Sequence, residues 1–149
     1  MTEHLGGPET PENLELRHKR YIAAAKSGTF SDSENAVAHI FKAILEPEGV
    51  DVGGVNFWDR EWNGVPVYEM GWGVLPEYQG QGIASAAVAQ AVELARATKR
   101  RSHIHAFPTV DNGPSNAICR KAGFELRGEV QFEYPKDHWM QCNDWAFRL

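Results

Sequence analysis

The chain has 149 residues, 42% of them hydrophobic, which is enough for one buried core and too few for two ordinary domains. Its apolar runs are too short to cross a bilayer, the opening MTEHLGGPETPE lacks signal-peptide character, and two distant cysteines, Cys119 and Cys142, form neither a disulfide framework nor a zinc knuckle, so we expect a cytoplasmic protein with reduced thiols. A net charge of −5 argues against a sequence-independent nucleic-acid binder and suits a cationic partner such as an amine.

Residues 1–11 carry Gly and Pro and are expected to be loose. From Pro11, good helix formers run to Ser27-Gly28 and predict a helix over about 12–26. NAVAHIFKAILE (35–46) and VDVGGVNFWDREW (50–62) read as strands separated by PEG. Asn63-Gly64 supplies the two positive-φ residues of a tight hairpin, and VPVYEMGWGVL runs back as its second strand. A helix follows over about 81–99, then a strand in SHIHAFPT. In DNGPSNAICRKAGF, an Asp/Asn cap, Pro114 near the first turn, Arg120 and Lys121 near the end and Gly123 at the C-cap mark a short helix. FELRGEVQFEYP and HWMQCNDWAFRL close the chain as strands around a PKD turn. The whole reads as one α/β (α+β) domain over 1–149, with no repeat or low-complexity tract.

The stretch that bears on chemistry is QGQGIA, Gln79 to Ala84, between a strand and a helix. Unpaired N–H groups at a helix N-terminus attract anions, and Gly80 and Gly82 leave no Cβ to keep a bulky one away. The plain alternative is a glycine-rich turn without a ligand. A P-loop would need Gly-Lys-Ser/Thr, and a dinucleotide fingerprint would need an acid at the end of the next strand, which here ends in AFPT.

QGQGIA matches the Gln/Arg-x-x-Gly-x-Gly/Ala signature of the GNAT superfamily of acetyl-CoA-dependent N-acetyltransferases. VYEMGWGVLPEYQGQGIASAAV resembles that family's fourth strand, pyrophosphate loop and central helix. DNGPSNAICRKAGFE resembles its Asn-x-x-Ser helix ending in Gly-Phe. The resemblance spans about residues 12–149 and is nearest to the branch of ribosomal-protein N-terminal acetyltransferases. It implies a mixed, mostly antiparallel sheet flanked by helices, with acetyl-CoA as co-substrate and no metal. It also implies that the backbone of Gln79, Gly80, Gln81, Gly82, Ile83 and Ala84 holds the pyrophosphate. Trp72, Gly73 and Val74 would pair with the pantetheine arm, the Val74 N–H polarising the thioester carbonyl, and Asn112 and Ser115 would contact the thioester end.

An attacking amine must lose a proton, so a carboxylate is needed. Glu69 is the first candidate, because strand alternation puts it on one face with Gly71 and Gly73, and Glu133 is the second; either reads equally as a surface or salt-bridge residue. For the departing thiolate, much of the family has a tyrosine seven residues after the helix's asparagine, and here that position is Cys119. Its thiol can donate, but core packing is the commoner use of a cysteine; Ser115 or water are the other candidates. His103 and His105 share a strand face without a nearby third metal ligand. Trp58, Trp62, Trp72, Trp139 and Trp145 suit either an acceptor pocket or ordinary packing.

Family members open with a strand and helix for which this sequence has no room, so a shortened N-terminus is expected. NAVAHIFKAILE would then be a sheet edge with Lys42 as its only charge between His39 and Glu46, which favours a homodimer. A binding protein that keeps the loop without turnover is the rival to an enzyme.

Overall fold

The hairpin turn sets the register on which the site depends. In the computed structural model Asn63 and Gly64 take φ of 51° and 76°, the pair of left-handed residues that a two-residue turn needs. Strand β2 (Val50–Trp62) therefore pairs with β3 (Val65–Val74) from Trp62↔Val65 to Gly53↔Val74 without a slip. The structure describes residues 37–149 and, before them, Glu12, Glu15, Leu16, Lys19, Ile22, Ala23 and Lys26. These seven are helical, as the reading of 12–26 has it, and Lys19 and Glu15 pair one turn apart at 2.8 Å. The other residues of that stretch, the start at 1–11 and residues 35 and 36 lie outside the described residues.

Six strands make one sheet in the order β1-β2-β3-β4-β6-β5, with β1 Ala38–Leu45, β4 His103–Ala106, β5 Glu125–Glu133 and β6 Trp139–Arg148. Every neighbouring pair is antiparallel except β3 and β4. Helix α1 (Ile83–Thr98) links those two, and α2 (Gly113–Lys121) follows β4. The expected α/β architecture with a mostly antiparallel sheet is the one observed. β4 is shorter than SHIHAFPT, because the chain turns away after Ala106 and next pairs with β6 at the isolated Thr109↔Cys142 bridge.

Period-two alternation gives the sheet two different faces. One carries Phe57, Tyr68, Met70, Ile104 and Trp145, and it closes against Val88, Ala91, Val92 and Ala95 of α1 and Cys119 of α2. The alanines of α1 let the helix lie close to the sheet. The Tyr68 hydroxyl bonds to Thr98 Oγ1 at 3.0 Å and ties the helix end to β3. Beyond it, Asp59 accepts from Arg100, Arg101 and the Val37 N–H, anchoring β2 to the turn after α1 and to the approach to β1. The opposite face carries Arg60, Glu69, His105 and Asp144.

Gly53 shows why β2 reads VGGV: with φ +157°, a Cβ there would lie 2.2 Å from the Gly73 carbonyl oxygen, so only glycine lets the two backbones approach.

His39 of β1 stacks on Phe57 with ring centroids 4.5 Å apart. Burial lowers its pKa below the 6.5 of a free histidine, opposed by Asp59 and assisted by Arg100. The unfolded chain therefore binds more protons at this site than the native one, so stability held above pH 6.5 is lost as the pH falls through 6.5 toward the lowered native value. The melting temperature of the wild type is expected to drop between pH 7 and pH 5 more steeply than that of His39→Phe. Identical slopes would remove His39 from that acid sensitivity.

Candidate active site

β3 and β4 are paired at only two positions, Tyr68↔Ile104 and Glu69↔His105. Beyond them β3 continues for five residues to Val74 while β4 ends at Ala106, and the two strands part. The backbone of β3 in this fork can be assigned from one bond. The Leu75 N–H donates to Val52 O at 2.9 Å, and an antiparallel ladder alternates direction residue by residue. Gly73, in step with Leu75, turns its N–H and C=O to β2. Trp72 and Val74 turn theirs to the open side. Of the three residues expected to meet a pantetheine arm, two thus offer backbone groups to the fork and Gly73 offers the absence of a side chain.

At the wide end of the fork the chain makes a short 3-10 turn, Pro76–Tyr78, and the Gln79 side chain donates from Nε2 to the Val74 carbonyl at 2.9 Å. This bond fixes the loop to the strand it leaves. Gly80 and Gly82 adopt φ of 74° and 80°, which side-chain-bearing residues rarely take. A Cβ on either would meet nothing within 4 Å, so these glycines make no room for the protein's own atoms. Gly82 is the N-cap of α1 and no side chain caps it, so the N–H groups of the first turn are open to an anion. The helix begins at Ile83 rather than about 81, because the left-handed glycine cannot belong to it.

Helix α2 begins after the chain has left β4. Asn112 is its N-cap and accepts the Ser115 N–H at 3.1 Å through Oδ1, so that oxygen is engaged in capping. Ser115 is half-buried. Asn116, which sequence reading passed over, is the residue that fixes this corner. Its Nδ2 donates to the carbonyls of Thr109 and Asn112 at 2.9 and 2.8 Å, and its Oδ1 accepts from Asn143 Nδ2 and Trp145 Nε1, both at 2.8 Å. Cys119 is fully buried in the core, and burial pushes its thiol up to about 12, opposed by a backbone hydrogen bond and by Arg120. For Cys119, considered above both for packing and as an acid, burial and a thiol this weakly acidic favour packing. Trp145 belongs to the same core, whereas Trp139 is 61% exposed.

Glu69 sits at the apex of the fork, on the face away from α1, and is buried. Its Oε2 accepts from Arg60 Nη1 at 2.6 Å, and the Trp58 side chain donates to the same carboxylate. Burial raises its pKa above the ordinary glutamate range, opposed by Arg60, Trp58 and His105. The space beside Glu69 over Gly71 is not open, since a Cβ on Gly71 would meet Trp58 ring atoms at 3.6 and 3.8 Å. The Arg60 guanidinium lies 4.6 Å from the Phe132 ring centroid, 5.5 Å from Trp62 and 5.8 Å from Phe107, an aromatic seat that holds it against Glu69. The second carboxylate considered, Glu133, is exposed and accepts the Asp137 N–H at 2.8 Å, closing the β5–β6 turn. Among the described residues no group of three or more His, Cys, Asp or Glu side chains comes together around His103 and His105; His105 Nδ1 is bonded to Asp144 Oδ1 at 2.6 Å, and Asp144 Oδ2 accepts from Trp62 Nε1 at 3.0 Å. Arg60 was within reach of sequence reading: a two-residue turn at 63 and 64 puts residue 60 on one face with 67 and 69.

The acetyltransferase (GNAT) domain model matches residues 1–125. No curated protein matches the chain. Among solved structures, a GNAT-family acetyltransferase from Bacillus anthracis is 26% identical, covering 73% of this chain and 65% of its own, with a TM-score of 0.62. The chain thus spans just under two thirds of that protein's length. A ribosomal-protein-alanine N-acetyltransferase from Brucella melitensis is 24% identical over 99% of this chain and 86% of its own, TM-score 0.71. A ribosomal L7/L12 alpha-N-protein acetyltransferase in complex with coenzyme A is 20% identical over 95% and 74%, TM-score 0.68. The last two show a shared fold. With the forked parallel pair and the uncapped glycine loop in place, the match over most of its length shows that the chain belongs to the GNAT family of acetyltransferases.

Proposed function

We propose that the chain transfers acetyl from acetyl-CoA to a primary amine, by direct attack of the amine while both substrates are bound. The observation that carries this reading is the fork between β3 and β4 with the uncapped start of α1 at its mouth. In that arrangement the first-turn N–H groups from Gly82 onward take the pyrophosphate, and the backbone of Trp72 and Val74 lines the path of the pantetheine arm. The Val74 N–H then donates to the thioester oxygen as it gains charge, which is the step where a fixed donor is most effective.

The amine approaches from the face that carries Glu69, and Glu69 takes its proton. Burial makes this carboxylate more basic than an exposed glutamate, and Arg60 fixes its position. With Cys119 sealed in the core, Ser115 or water protonates the departing thiolate. A peptide N-terminus is the acceptor class supported by the ribosomal-protein acetyltransferases among the structural neighbours, with a small amine as the other. The burial of Cys119 favours a second reading, a protein that binds acyl-CoA with little turnover. Detecting free thiol while amines are offered with acetyl-CoA separates the two.

Among the described residues β1 pairs only with β2, and Ile44 on it is 45% exposed. A homodimer that covers this edge is part of the proposal.

Acetyl-CoA at about 100 times its dissociation constant is expected to add ~2.7 kcal/mol of stability, a melting shift of several degrees. Gly82→Val should fold and show no shift; a wild type that also shows none removes the cofactor assignment. Glu69→Gln is expected to lower kcat by ~10²–10⁴ with little change in acetyl-CoA affinity, and wild-type turnover from pH 6 to 9 would take the base role from Glu69. Light scattering at micromolar concentration should give twice the 16.7 kDa chain mass, and Ile40→Lys should reduce it to one; a wild-type monomer overturns the dimer.

A further inference from the structure

Keeping the amine's proton on Glu69 is costly. Glu69 is buried, and protonating it removes the charge that Arg60 is held to neutralise. The residue opposite it across the parallel pair is His105, on the same face of the sheet. His105 is itself buried, and its orientation is fixed by Asp144. Both oxygens of Asp144 are engaged by donors, Oδ1 by His105 Nδ1 and Oδ2 by Trp62 Nε1. An acceptor-only carboxylate at 2.6 Å places the neutral ring's proton on Nδ1 and leaves Nε2 with its lone pair. The ring also stacks on Phe107, with centroids 5.9 Å apart and planes at 19°, so it is held on both sides of the bond.

Resting on the reading above, we propose that His105 receives the amine's proton from Glu69 and that Asp144 is the residue that positions it. The Glu69 O–H bond breaks and an Nε2–H bond forms on His105. Glu69 returns to the carboxylate that Arg60 pairs with, the imidazolium is balanced by Asp144, and the proton leaves to solvent with the products. The charged and titratable groups near Glu69 and the ring include Arg60 on β2, Asp144 and Cys142 on β6 and His103 on its own strand; burial first, and Glu69 next, push the Cys142 thiol up to about 11. Of the two anions, Asp144 is bonded to Nδ1, and Glu69 is the residue paired with His105 across the two strands.

The test follows thiol release from acetyl-CoA with two amine probes, a short peptide with a free N-terminal alanine and spermidine, alongside the melting shift given by coenzyme A. His105→Gln is expected to lower kcat about 10²-fold, with the KM for acetyl-CoA and the coenzyme A shift unchanged. Asp144→Asn, which can still accept from Nδ1, should lower kcat by a smaller factor with the same KM. Added imidazole should restore part of the rate to His105→Ala and none to Glu69→Gln. Full turnover in His105→Gln, or loss of the coenzyme A shift together with the rate, overturns this inference alone. A wild type that binds coenzyme A and acetylates neither probe overturns the proposed function and this inference with it.

Discussion

Everything the site does depends on β3 and β4 pairing for two residues and no more. A parallel pair hydrogen-bonds through alternate residues of each strand, so ending it after Glu69 and His105 leaves the next outward-turned groups of β3 without a strand to meet. Inside a sheet such groups are costly to bury unpaired, and they stay accessible only because the chain after Ala106 swings toward β6. That swing is held by Asn116, which bonds to the Thr109 carbonyl on one side and to Asn143 and Trp145 of β6 on the other. One buried amide thus keeps the fork open. The same amide holds the first turn of α2 through the Asn112 carbonyl, so the opening and the helix beside it are fixed by a single hub.

The two faces of the sheet divide the work. The face against α1 is a hydrophobic core in which alanines of the helix meet Phe57, Tyr68 and Met70, and it sets the angle at which α1 leaves the loop. The other face carries charge, and each charge is paired by geometry rather than left to solvent: Arg60 with Glu69 inside an aromatic seat, His105 with Asp144 beside Trp62. Glu69 and His105 are the last paired residues of β3 and β4. The chemistry of the second face is therefore concentrated where the fork created by the strand geometry begins.

Much of this was legible in the chain. Asn63-Gly64 fixed a hairpin and, through its length, the register that places Glu69 on a face with Gly71 and Gly73. The N-cap of α2 was written in Asn112; at the other end the C-cap is Ala122, and Gly123, with φ 87°, is the left-handed residue just beyond it. QGQGIA announced a loop with an open helix start. What could not be read were contacts set by long-range strand order. His105 and Asp144 are 39 residues apart and meet because β4 pairs with β6, an adjacency that no local signal specifies. Asn116 reads as an ordinary helix residue until Thr109, Asn143 and Trp145 are brought around it. Cys119 was ambiguous in sequence for a different reason: a thiol suits both packing and proton transfer, and burial alone decides between them.

The balance at Glu69 shows which effect wins in this site. An arginine at 2.6 Å and a tryptophan N–H both favour the carboxylate, yet the net direction of its pKa is upward, so desolvation outweighs them. An exposed glutamate would be a weaker base toward an ammonium, and without Arg60 burial would favour the uncharged form still more. The aromatic seat of Phe132, Trp62 and Phe107 matters in this balance because it retains the guanidinium where water is scarce, without adding a second anion that would draw it from Glu69. Asp144, on the same face of the sheet, is occupied by His105 and Trp62. The pairing of the two acids with separate partners is what leaves one carboxylate basic and the other a fixed anchor.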